Sequence, residues 1–160
     1  MNRNFLEKFD YRVISFLRKH VSTFARLSLF IIFFWFGILK VFGVSAAAPL
    51  VSDLLETTFL NFIDSTIFLI VFGLFEMGIG IIILIPKLER ITFAILVFHL
   101  FTTILPLFFL PEVTWYGFFV PTLTGQYIIK NLALLSVGLL LFAHLRPMTQ
   151  THSILGEKEY

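Results

Sequence analysis

The stretch that decides the fold is residues 66–85, TIFLIVFGLFEMGIGIIILI, twenty residues in which Glu76 alone can carry a charge. At 1.5 Å per residue such a helix spans about 30 Å, the thickness of the hydrocarbon core of a bilayer. Three further stretches, residues 27–44, 91–110 and 128–145, have the same character. The first contains Lys40, the third contains His99, and the last has Lys130 and Asn131 in its opening turn. A soluble domain of average make-up is about 45–50% apolar and about 25% charged. This chain, at 58% and 14%, lies well to the apolar side. Its 22 Phe residues would leave adhesive patches in water but are solvated by lipid tails. The expected fold is therefore an all-α membrane protein: a four-transmembrane-helix bundle that treats the lipid bilayer as its first partner.

Orientation follows from the basic residues, which are retained on the cytoplasmic side of short loops. Arg3, Lys8, Arg12, Arg18, Lys19 and Arg26 precede the first span; Lys87 and Arg90 join the second to the third; Arg146 and Lys158 follow the fourth. The other two connections, 45–65 and 111–127, hold Asp53, Glu56, Asp64 and Glu112 and no Lys or Arg. Both termini are thus expected in the cytoplasm, which requires an even number of crossings. The organisation predicted is a cytoplasmic amphipathic segment over 1–26, a four-helix domain over 27–145 and a cytoplasmic tail over 146–160.

Within the first segment Phe5, Phe9, Val13, Phe16, Leu17 and Val21 recur near helical spacing opposite Lys8, Arg12, Arg18 and Lys19. That pattern predicts an interfacial helix, either anchored on anionic headgroups or offered to a cytoplasmic partner. Residues 49–63 predict a second, outer interfacial helix, with Pro49 suited to its first turn. Ser45-Ala46-Ala47-Ala48 after a basic, apolar start also has the look of a signal-peptide cleavage site. The apolar run is too long for that, Lys40 interrupts it, and three more spans follow, so it is read as a retained first span.

Cysteine is absent, which excludes disulfides, thiol redox chemistry, iron–sulfur ligation and covalent haem attachment. The four histidines lack the short spacings of a metal site, and no nucleic-acid-binding patch is implied. An ionisable side chain within hydrocarbon costs about 2.5–3.5 kcal/mol on insertion scales, so it is paired, turned inward or functional. Lys40 lies about 6 Å below the outer end of its span and could snorkel or reach inward; Glu76 lies about 15 Å deep and needs an internal partner or a proton. The pair can fix helix register, bind a ligand or carry protons. Gly73, Glu76 and Gly80 share one face of the second span, and His99, Thr102 and Thr103 one face of the third. His99 can bond to a neighbouring helix or take part in proton transfer or a quinone contact. Lys130, at the outer interface, can snorkel there or join Lys40, Glu76 and His99 in ligand binding or proton relay, and Asn131 suits a bond across helices.

Phe34-Trp35-Phe36-Gly37-Ile38-Leu39-Lys40, preceded by Arg26-Leu27-Ser28, resembles the first helix of the DoxX-like superfamily, in its RclC/YkgB-type bacterial inner-membrane branch. Gly73-Leu74-Phe75-Glu76 with Gly80 is similar to that branch's second helix, and Thr102-Thr103 with Pro111-Glu112 to its third helix and exit. Pro121, Leu123, Gly125 and Lys130 resemble the approach to its last helix, although Asn131 stands where the branch commonly has Asp. The likeness covers residues 26–142. It implies a multi-pass subunit of the bacterial cytoplasmic membrane whose activity is poorly defined, linked in some members to quinone-coupled oxidation or to oxidant resistance, and it implies no particular catalytic residue. Trp35 and Gly37 join the expected polar seam on this ground. With no redox centre in the chain, electrons would come from a membrane or cytoplasmic redox partner. The alternatives are a small transporter or ion pathway, for which four helices call for an oligomer, and a purely structural or chaperone-like subunit.

Overall fold

The structure, a computed structural model, describes residues 3–58 and 60–143. The expected tail, His144, His152, Arg146, Lys158 and the last residues of the fourth span lie outside the described residues, as does Phe59. Among the described residues, four helical segments are long and apolar enough to cross a membrane: Leu6–Val41, Ser65–Ile83, Pro86–Phe109 and Leu123–Phe142. The protein is a multi-pass membrane bundle.

Helix α1 runs without interruption from Arg3 to Val41. A separate interfacial helix ahead of residue 27 is therefore not what forms: the amphipathic segment and the first span are one rod. Between residues 3 and 36 the chain has neither Gly nor Pro, so nothing interrupts the hydrogen-bond ladder. Thirty-nine residues make a helix about 58 Å long. Its part ahead of Arg26 extends past the bundle, with Phe16, His20 and Phe24 in tilted and edge-on ring contact along one side. The helix stops at Gly43, whose φ of 71° is the left-handed conformation that glycine adopts without penalty. There the Val44 N–H donates to the Leu39 carbonyl and the Gly43 N–H to that of Lys40, closing the helix end three residues before the expected boundary.

Helix α2, Ala48–Thr57, has Pro49 in its first turn but ends well short of the expected residue 63, with Thr58 as its C-cap. Helix α3, Ser65–Ile83, opens on Asp64, whose carboxylate accepts from the Thr66 and Ile67 amides at 2.9 and 3.0 Å. After a single turn at Pro86–Leu88, α4 runs Glu89–Ile104. Pro106 then divides the third crossing, which continues as α5, Pro106–Phe109, before a short turn, α6, at Pro111–Thr114.

The connection that follows contains an element the hydropathy did not predict, a small antiparallel hairpin of β1, Trp115–Gly117, and β2, Val120–Pro121. The last crossing is α7, Leu123–Ile129, followed by α8, Asn131–Phe142. It starts five residues before the expected 128, because Thr122 caps α7 by accepting from the Gly125 amide.

Helices α1 and α3 form the most extensive pairing; α3 meets α4, α4 meets α8, and α8 returns to α1. Leu29, Phe33, Ile79, Ile83, Leu96, Leu100 and Phe142 fill the centre of that ring. Glycine decides how closely the helices approach. A Cβ on Gly73 would stand 2.6 Å from the Gly37 carbonyl oxygen, and one on Gly80 3.2 Å from that of Phe30.

Candidate functional site

Lys40 is in the last turn of α1 and Glu76 near the middle of α3, on the faces that Gly37 and Gly73 bring together. The Lys40 ammonium donates to Glu76 Oε2 at 2.5 Å, with each side chain less than a tenth exposed. The other carboxylate oxygen, Oε1, lies 3.4 Å from His99 Nε2 on α4. That is longer than a fully formed hydrogen bond but within reach after a small adjustment. A cation, a carboxylate and an imidazole thus form one chain across three helices.

The surroundings of this chain are aromatic. The rings of Phe33, Phe72 and Phe75 stand 5.3, 5.2 and 5.9 Å from the His99 ring, and Lys40 Nζ lies 5.7 Å from the centre of Phe72. The faces of these rings are electron-rich and suit a nearby cation. Ring nitrogen Nδ1 of His99 is buried and has no hydrogen-bond partner among the described residues. A buried polar atom left unpaired costs on the order of 1–3 kcal/mol, so it marks a place where a proton or a polar ligand atom is accommodated at a gain.

The remaining seam residues divide. Gly37, Gly73 and Gly80 line the α1–α3 contact. Thr103 joins α4 to the last crossing by accepting from the Asn131 amide at 3.1 Å, while donating to the Leu100 carbonyl at 2.8 Å. Thr102 bonds back to the His99 carbonyl of its own helix. Trp35 is not brought to the seam: its side chain is on the outer surface of α1, 62% exposed. Lys130 also stands apart, exposed, with its ammonium 4.8 Å from the Tyr127 ring. A rotation of 100° per residue separates Trp35 from the face shared by Phe33, Gly37 and Lys40, so proximity in sequence misplaces it.

Two features were not read from the sequence. The first is the Phe33–Phe72–Phe75 enclosure, hidden among 22 phenylalanines with nothing to distinguish three of them. The second is a clasp at the opposite end of the bundle, where Arg26 pairs with Glu89 and donates to the Ile83 carbonyl at 2.8 Å. That carbonyl belongs to the last turn of α3, where a cation is favoured by the helix dipole.

The site also has an opening. A cleft of about 490 Å³ lies between the end of α1, α2 and the start of α3, with Lys40, Phe42, Ser52, Ser65, Thr66, Leu69 and Ile70 among its walls. The class defined by fold and site is a helical membrane bundle with a buried Lys–Glu–His chain beside an amphiphilic cleft. No family model, no curated protein and no solved structure matches this chain.

Proposed function

We propose that this chain is a DoxX-like accessory subunit of a bacterial cytoplasmic membrane that receives the head group of a quinone in oxidative-stress or respiratory redox chemistry. The observation that carries the reading is the continuous run from the cleft through Lys40 and Glu76 to His99. A quinone has carbonyl acceptors on an apolar body. Lys40 supplies donors at the cleft, the carboxylate and imidazole supply proton-accepting groups behind it, and phenylalanines supply the apolar surroundings. In this reading electrons come from a partner, since a sequence without cysteine offers neither a redox thiol nor iron–sulfur ligation.

The orientation that accompanies this reading puts both termini in the cytoplasm. It rests on the basic residues before the first span and around Lys87 and Arg90. The projecting part of α1, rich in Arg and Lys and lined with Phe, then rests against anionic headgroups or meets the redox partner.

Binding of decylubiquinone to the purified protein, followed by titration of intrinsic fluorescence, tests the proposal. Wild type should bind, and Lys40→Met with Glu76→Leu together should fold without binding. A double variant that binds as well as wild type sinks the reading and favours the purely structural one, in which the pair only fixes helix register. Proton or ion flux in liposomes that disappears with Glu76→Gln would instead favour a small transporter.

A further inference from the structure

The two ends of the buried chain are not equivalent. Above Lys40, on the face of the bundle that bears α2, the helices separate into the cleft. Below it, α1 and α3 close on each other at Gly37 and Gly73, where a Cβ on either would stand 2.6 Å from the other's carbonyl oxygen. Leu29, Phe33, Ile79 and Leu96 then fill the space, each no more than 3% exposed. The clasp of Arg26 to Ile83 and Glu89 completes the closure at the far end. Fourteen residues of α1 separate Lys40 from Arg26, about 21 Å of helix without an opening at either glycine contact.

We infer that the Lys40–Glu76–His99 chain is a one-sided site: an amphiphile with an oxygen-bearing head enters from the α2 face, and the described residues close the way onward to the opposite face. An ammonium has three N–H donors, and Glu76 takes one of those of Lys40. The remaining donors suit a carbonyl or ionised oxygen of the incoming head. Ser52, Ser65 and Thr66 add hydroxyls around it, and Phe42, Leu69 and Ile70 offer an apolar wall to its body. The choice of a quinone as that amphiphile rests on the function proposed above; the one-sided entry does not.

The natural absence of cysteine makes the test direct, since every introduced thiol is the only one. Full-length single-cysteine variants in membrane vesicles of both orientations are treated with a membrane-impermeant maleimide. Phe118→Cys on the hairpin and Lys8→Cys near the start of α1 report which face is outermost. Ser52→Cys and Thr66→Cys should react from the Phe118→Cys side at a rate at least about tenfold above that from the other side, reactivity following access. Ile79→Cys and Thr92→Cys should react from neither. Thr92→Cys is nearly isosteric and keeps this arm decisive if Ile79→Cys fails to fold.

Reaction of either inner cysteine from the Lys8→Cys side, or of a cleft cysteine from that side, overturns the one-sided site. Decylubiquinone should slow labelling of Ser52→Cys, and that protection should vanish when Lys40→Met is added. One-sided labelling without protection supports the entry route and removes the quinone as its occupant.

Discussion

The ion pairs Arg26–Glu89 and Lys40–Glu76 both tie α1 to a neighbouring helix, in different surroundings. Arg26–Glu89 joins α1 to α4 at the bundle end, where the side chains keep 14% and 23% of their exposure. Lys40–Glu76 joins the last turn of α1 to the middle of α3, where both side chains fall below a tenth. The first pair keeps contact with solvent, and its guanidinium also satisfies a helix-terminal carbonyl, so it closes the bundle at a lower desolvation cost than the deep pair. The second takes two charges out of water. Its Coulombic attraction offsets a penalty of several kcal/mol, and an apolar pair of the same volume would stabilise the fold at least as well. A clasp is sufficient reason for Arg26–Glu89. Lys40–Glu76, with an unpaired imidazole nitrogen behind it and a cleft in front, calls for another reason, and binding supplies one.

The contrast is broken most severely by removing one partner of the deep pair. Glu76→Leu alone should cost about 3–5 kcal/mol in denaturant unfolding in detergent, because it leaves the Lys40 ammonium buried without its carboxylate. Adding Lys40→Met should recover most of that loss. A double variant as unstable as Glu76→Leu would mean that the pair is needed for packing itself. Next in size is Gly73→Val, about 1–3 kcal/mol, since its side chain would collide with the Gly37 carbonyl and the Lys40 Cβ. The same change should lower occupancy of the cleft through displaced Lys40, seen as weaker decylubiquinone binding.

Arg26→Ala should cost about 1 kcal/mol, and its effect should shrink as salt is raised, which the Lys40–Glu76 variants should not show. Equal salt dependence of the two pairs would remove the distinction between clasp and site. Smallest is Asn131→Leu, about 0.6 kcal/mol for one hydrogen bond between helices, with binding unchanged. Loss of binding in that variant would extend the site to the last crossing.

Much of this is legible in the sequence alone, for a physical reason. The apolar runs set where a helix can be surrounded by lipid, and the helical rise converts position along each run into depth. Lys40 and Glu76 could therefore be placed within reach of each other, and the 2.5 Å contact follows that expectation. Helix ends were less legible: α1 stops at a left-handed Gly43 and the last crossing begins at the Thr122 cap, both local devices that hydropathy does not register. The uninterrupted α1 was missed because a change from amphipathic to wholly apolar sequence resembles a boundary, although the backbone has no reason to break there.

By itself the sequence determined a membrane-embedded bundle, its four crossings and the burial of an acid and a base, because transfer of side chains into hydrocarbon is a local free energy added residue by residue. Tertiary structure alone decided that His99 faces the second oxygen of Glu76, that three particular phenylalanines enclose it, and that Trp35 and Lys130 stand outside. Those outcomes depend on how each helix is rotated about its axis, and rotation is set by which glycines let which backbones touch.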